Sequence, residues 1–312
     1  MTTPKYTSQR VEVTTTVVSG VVERVELSHL LRMTWAGTEG KVILIESDDD
    51  IVVYGLNKEK FSTDGFLVYP TDVIGYEYYT VSHYPTSSYT EFAVAAKYDD
   101  TSISMRLPTK SQFKQPIRVE LPDGTSYSNG DWLNVTLQAY EAFQCVSYDG
   151  ADLTATYIIA DKPVAAFSGN VRTWVGESDS RDHLAIQLPP TQAYGKQFAV
   201  IPTPGRTVGD IIKVIAPSAN TNIRVKSENE LVQLESQFAD LYNSFTIYNY
   251  TTISSNNPIL VVQVSQSQQD KAEPGDPTML AVTATPQFTA DYVFSTPQYS
   301  NGGRQLLNIG LH

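Results

Sequence analysis

Along most of the chain, apolar and polar residues alternate one for one, in runs rich in Val, Ile, Thr, Tyr and Phe. A period of two marks β-strands that bury one face, because successive side chains leave a strand on opposite sides. Clusters of Asp, Asn, Pro, Gly and Ser interrupt these runs every ten or so positions. Asp and Asn suit such turns because their side chains bond the local backbone and tolerate left-handed geometry. The rhythm predicts a chain of hairpins. Val42–Glu46 leads through Ser47–Asp50 into Ile51–Tyr54, and Phe92–Ala96 through Tyr98–Asp100 into Ser102–Met105. Tyr157–Ala160 passes Asp161-Lys162-Pro163 into Val164–Phe167, Ile211–Ala216 passes Ser218–Asn220 into Asn222–Val225, and Thr251–Ser254 passes Asn256–Pro258 into Ile259–Val264. Leu231, Leu234, Phe238 and Leu241 have helical spacing. The corresponding stretch around Val135–Ala142 reads as strand, so strand is expected at both.

The chain also resembles itself. Pro70–Met105 aligns without a gap on Pro190–Val225, with Pro70, Thr71, Gly75, Val94, Ala96, Thr101 and Ile103 meeting identical residues. Tyr292–Pro297 echoes Phe198–Pro204 as a third, gapped copy. Three units, about 11–102, 103–222 and 223–312, each holding two strand groups of roughly 50 residues, give the arithmetic of propeller blades. The last group ends one strand short after Leu306–Ile309, whereas Val11-Glu12-Val13 stands alone at the start. The expectation is one all-β domain over 1–312, a six-bladed β-propeller closed by the N-terminal strand, with tandem β-sandwiches as the alternative.

Composition narrows the function. A formal net charge of −12 argues against nucleic acid, which needs Lys and Arg gathered on one face. No apolar run approaches a membrane span, so no membrane insertion is expected. The single cysteine, Cys145, allows no internal disulfide framework and reads as a buried structural thiol. Met1–Arg10 lacks the apolar core of a secretion signal. The sequons at Asn134 and Asn249 are candidate glycosylation sites.

The run Ala160–Asn170, with Lys162-Pro163-Val164 and Ser168-Gly169-Asn170, is followed by Asp182-His183 and Gln187-Leu188-Pro189-Pro190. This resembles the N-terminal domain of the IgG Fc-binding protein family. The resemblance implies a secreted, mucus-associated binding or matrix protein. It carries no Fc-contacting motif onto particular residues. The Cys-rich von Willebrand D-type modules that accompany the domain in large mucus proteins are lacking here, so covalent gel assembly is not implied.

Catalytic signatures are sparse. His29, His83, His183 and His312 are far apart, without paired-ligand spacing. No Gly-x-Ser-x-Gly elbow or Gly-rich phosphate loop occurs. Asp182 and His183 form the most interesting titratable pair, either as an acid/base couple at a channel mouth or as ties for the loop Arg172–Arg181. The second reading is preferred. Asp48, Asp49 and Asp50 are weak calcium candidates in a turn, and no cofactor or metal is expected. Tyrosines cluster before Thr90, and Tyr84 and Tyr89 are binding candidates on a polar loop. The expected function is an extracellular, non-catalytic binding or structural protein with a protein or glycoprotein partner, self-association being left open. The alternative is a propeller hydrolase or lyase.

Overall fold

The computed structural model describes residues 1–8, 10–86, 88–109, 115–147, 150–178, 180–228, 230–236, 242–268 and 275–294. In chain order the strands are β1 (Gly37–Glu39), β2 (Val53–Glu59), β3 (Ser62–Val68), β4 (Gly75–Tyr79), β5 (Thr90–Ala96) and β6 (Thr101–Arg106). There follow β7 (Arg118–Glu120), β8 (Ser126–Ser128), β9 (Trp132–Leu137), β10 (Ala142–Ser147), β11 (Tyr157–Thr173) and β12 (Asp182–Gln187). The remainder are β13 (Gly195–Val200), β14 (Asp210–Ile215), β15 (Thr221–Ser227), β16 (Leu231–Ser236), β17 (Tyr242–Ile247), β18 (Thr251–Ser265) and β19 (Met279–Ala281). Helix is confined to single 3-10 turns such as Thr191–Ala193, and no helix among the described residues could cross a membrane.

Strand positions follow the alternation. In β5, Thr90, Phe92, Val94 and Ala96 are buried, and in β15 Thr221, Ile223 and Val225 are buried while Asn222, Arg224 and Lys226 are exposed. β10 is buried along its whole length, with β5 paired along one edge and β1 and β7 along the other. Cys145 sits at its centre. Leu231–Ser236 is strand, as expected over the helical alternative, and residues 237–241 lie outside the described set.

The pairing differs from a string of hairpins, and the described strands do not make the separate blades of a six-bladed propeller. The described strands make a ten-stranded sheet curled into a nearly closed barrel, a seven-stranded half-barrel and the separate β2–β3 ribbon. A propeller pairs neighbouring strands within small separate blades. Here β5 and β6 do not pair with each other: both pair with β11, one to each half of its 17 residues. The turn between them is therefore an arch that carries the chain from one layer to the other. β14 and β15 likewise both pair with β18. The "turns" at Asp161-Lys162-Pro163 and Asn256-Asn257-Pro258 are irregular stretches inside continuous strands, where register shifts on β4 and on β13. Proline is tolerated there because the ladder needs no donor at that point.

The strand order β10-β5-β11-β6-β9 reappears as β17-β14-β18-β15-β16, with β4 and β12 attached to β11 as β13 and β19 are to β18. The aligned segments carry matching local geometry. Asp100 and Asn220 both adopt positive φ, at 52° and 55°. Gly75 and Gly195 both allow a close approach: a Cβ at Gly75 would lie 2.5 Å from Pro190, and one at Gly195 would lie 2.2 Å from Ala284.

At the termini, Val11–Val13 does not close a last blade. Glu12 bridges back to Thr2, which also bridges Leu44. Val42–Glu46 forms no hairpin with Ile51–Tyr54, because Tyr54 pairs with Leu67 in β2–β3. Tyr292, Val293 and Phe294 are exposed outside any strand, and Ser295–Pro297 and Leu306–Ile309 lie outside the described residues. The main core joins Phe92, Ile103, Leu133, Phe143, Ile158 and Leu184 to Ile215, Leu260 and Val262 of the half-barrel. A second core gathers Phe198, Ile212, Val214, Ile223, Ile253 and Val261.

Candidate functional site

The β2–β3 ribbon lies over β12, and side chains pin it there. Asp182 opens β12, is buried, and its Oδ1 accepts from the hydroxyl of Ser62 and from the N–H groups of Thr63 (2.7 Å) and His183 (2.8 Å). His183 stands 2.9 Å from the Asn57 amide through Nε2 and 3.3 Å from the Val171 carbonyl through Nδ1. The network assigns the proton to Nδ1, leaving Nε2 to accept from Asn57. Burial holds the ring's pKa below its ordinary value, which fits that neutral form. Asp64 of β3 accepts from Gly65 N–H, from Ala185 N–H of β12 and from the Thr278 hydroxyl, all within 2.9 Å. Burial pushes its carboxyl up to about 6, against the pull of those donors. Gln187 accepts from Tyr69 N–H at 2.8 Å, and Phe66 meets Phe167 edge-on at 5.7 Å.

So the Asp182–His183 pair joins the ribbon to β12, rather than holding only the Arg172–Arg181 loop. The described strands do not form the propeller channel at whose mouth the enzymatic alternative placed the pair. Beside the pair is an open cleft of about 530 Å³ between the ribbon tip (Lys58–Thr63), Arg172, Ser180–Asp182 and Asp276. Arg181 stacks over Trp174, its guanidinium carbon 4.6 Å from the ring centroid.

The other candidates are scattered. Tyr84 and Tyr89 are half-buried. The Tyr84 carbonyl accepts from the Thr173 hydroxyl and the Tyr89 carbonyl from Val171 N–H, so their segment is stitched onto β11. Asp48, Asp49 and Asp50 are exposed, and among the described residues no three His, Cys, Asp or Glu groups converge as metal ligands. Asn134 on β9 and Asn249 after β17 are both exposed.

A second polar cluster, buried where the two large sheets meet, was not singled out from the sequence. Lys213 of β14 turns away from Ile212 and Val214 toward the barrel. Its Nζ donates to the Ser82 carbonyl and lies 3.3 Å from Asp152 Oδ2, with both side chains at most 3% exposed. Asp152 also accepts from the hydroxyls of Ser82 (2.6 Å), Thr154 (2.6 Å) and Tyr242 (2.8 Å), and from Thr154 N–H (2.9 Å). Burial opposes its charge, but Lys213 and the hydroxyl donors outweigh it and keep the carboxyl below its ordinary value. The same burial lowers the Lys213 ammonium, and it pushes the neighbouring His83 down to about 3. The signal available in sequence was a lone Lys on the apolar strand Asp210–Ile215.

The described chain is thus an all-β protein in which hydrogen-bonded carboxylates join strands and a buried ion pair joins the two large sheets. The chain belongs to the IgGFc binding protein family, whose model matches residues 64–310. It is 30% identical over 206 residues to the human (Homo sapiens) IgGFc-binding protein, a stretch that covers 65% of this chain and 4% of that one. No solved structure matches it.

Proposed function

We propose that the chain is a non-catalytic, secreted binding module of mucus-type extracellular settings, one β domain built from repeated units, with a protein partner. Support for repetition comes from the shared strand order of the two large sheets and the matched Gly75 and Gly195 contacts. Support for protein binding comes from the outer face of the β2–β3 ribbon. Tyr54 sits opposite Leu67, and Leu56 lies over Gly65. These three apolar side chains are 50%, 46% and 60% exposed on a ribbon already fixed in place by β12. Contiguous exposed apolar surface on a rigid element is how interfaces are recognised. This face, more than the half-buried Tyr84 and Tyr89, carries the reading. Asp182 and His183 serve it by holding the ribbon. The name of the human relative makes immunoglobulin Fc the first partner to test.

The experiment is biosensor titration of the purified chain with IgG Fc, using Fab as control. Fc is expected to bind, and the double variant Tyr54→Ser, Leu67→Ser to weaken it at least about tenfold with unchanged melting, as loss of two anchors implies. Equal binding by wild type and double variant refutes the proposed face. Equal signals for Fc and Fab refute Fc as the partner.

A further inference from the structure

In a chain of net charge −12, the cleft beside Asp182 is locally cationic. Lys58 and Lys60 come from the ribbon tip, Arg172 from the end of β11 and Arg181 from the residue before β12. Among the described residues none of the four is in an ion pair. Of the acids lining the same cleft, Glu59 faces Arg32 at 3.5 Å, and Asp182 is satisfied by Ser62, Thr63 and His183. Burial, and then Asp182, raise the Asp276 carboxyl above its ordinary value, against the pull of Arg206. The Nε of Arg181 is buried without a hydrogen-bond partner.

The geometry points to this cleft as a binding site for an acidic saccharide, its carboxylate or sulfate held by Arg172, Arg181, Lys58 and Lys60. Planar guanidinium groups pair with carboxylate and sulfate oxygens through parallel hydrogen bonds, and lysines add point charge. Phe61 is the one apolar lining residue and is 72% exposed at the ribbon tip; the Lys60 ammonium lies 5.0 Å from its ring centroid, so a sugar ring would stack on the opposite face. The lining offers no second apolar residue to seat a peptide side chain, which favours a saccharide over an acidic peptide. The site is separate from the Tyr54–Leu67 face: its ligand is a sugar acid, and it stands or falls independently of Fc binding.

Calorimetric titration with sialyllactose, sulfated N-acetyllactosamine, lactose and a polyglutamate peptide tests this. At least one acidic sugar is expected to bind about tenfold or more tightly than lactose, since a charged hydrogen bond is worth that much, and more weakly as salt rises. The sialyl and sulfo arms separate carboxylate from sulfate as the recognised group. Lys58→Gln with Lys60→Gln, and separately Arg172→Gln, are expected to reduce that binding at least about fivefold with unchanged melting. A lower melting temperature in one variant transfers the test to the other. Acidic sugars that bind no better than lactose, polyglutamate that binds as tightly as they do, or folded variants that bind undiminished would each overturn the assignment.

Discussion

Replacing Lys213 by Met removes the cation that faces Asp152 across the junction of the two large sheets. The carboxylate stays behind, 2% exposed, with donors from Ser82, Thr154 and Tyr242. Breaking a buried pair by removing one partner costs about 3–5 kcal/mol, because the other charge is left uncompensated. The remaining donors place Lys213→Met near the lower end, about 3 kcal/mol. Asp152→Asn is worse, about 4–5 kcal/mol, since it leaves a buried ammonium with only neutral partners: the Ser82 carbonyl, the Thr154 hydroxyl at 3.5 Å and the face of the Tyr242 ring. The double variant has no buried charge, and it is expected to lose at least about 2 kcal/mol less than the sum of the singles. Urea unfolding at neutral pH, extrapolated to zero denaturant, measures each corner of the cycle. High salt should not rescue the single variants, because screening does not reach a buried pair. A cost below about 1 kcal/mol for Lys213→Met, or additive single costs, would refute the reasoning.

Asp64 gives a pH signature. Its carboxyl rises from 3.8 to about 6 in the fold. The protonated form is thus favoured on folding, and the stabilisation is complete below about pH 4 and lost as pH rises through 6, a difference of roughly 3 kcal/mol. Asp64→Asn should flatten that fall in urea titrations between pH 4 and 7, and an unaltered profile contradicts it. Gly195→Ala would place a methyl against Ala284 and should lower stability by about 1–3 kcal/mol in thermal melts; an unchanged melt means that the Thr285 turn moves aside freely. Cys145, whose thiol burial raises far above its usual range, should resist a thiol reagent in the native protein and react once in denaturant. Prompt native labelling would show that β10 opens.

Strand positions were legible because alternation reports directly on which residues face a core. Phe92, Val94, Ile103 and Ile223 are buried at the expected parity. Pairing was not legible, for a physical reason. Asp100 and Asn220 supply left-handed geometry that serves a tight hairpin and an interlayer arch equally well. Pro163 and Pro258 look like turn residues but lie within strands at places where no ladder donor is needed. Counting hairpins therefore produced blades where the chain crosses between layers. For the candidate site, Asp182 and His183 stood out as a pair, but their partners Asn57, Ser62 and Thr63 are more than a hundred residues away. Lys213 and Asp152 meet only because two sheets meet, a relation that no local pattern encodes.

The long strand β11 has a mechanical consequence. Over 17 residues it spans up to about 55 Å, laced to β6 and β4 along one half and to β5 and β12 along the other. Tension applied along its axis loads those ladders in shear, so many hydrogen bonds must fail together. The β2–β3 ribbon, joined to its neighbour through side chains, can instead peel off one contact at a time. Under a stretching probe the ribbon should release first at low force, and the barrel should yield late and in a single step. A gradual extension with no late rupture would show that β11 does not bear the load.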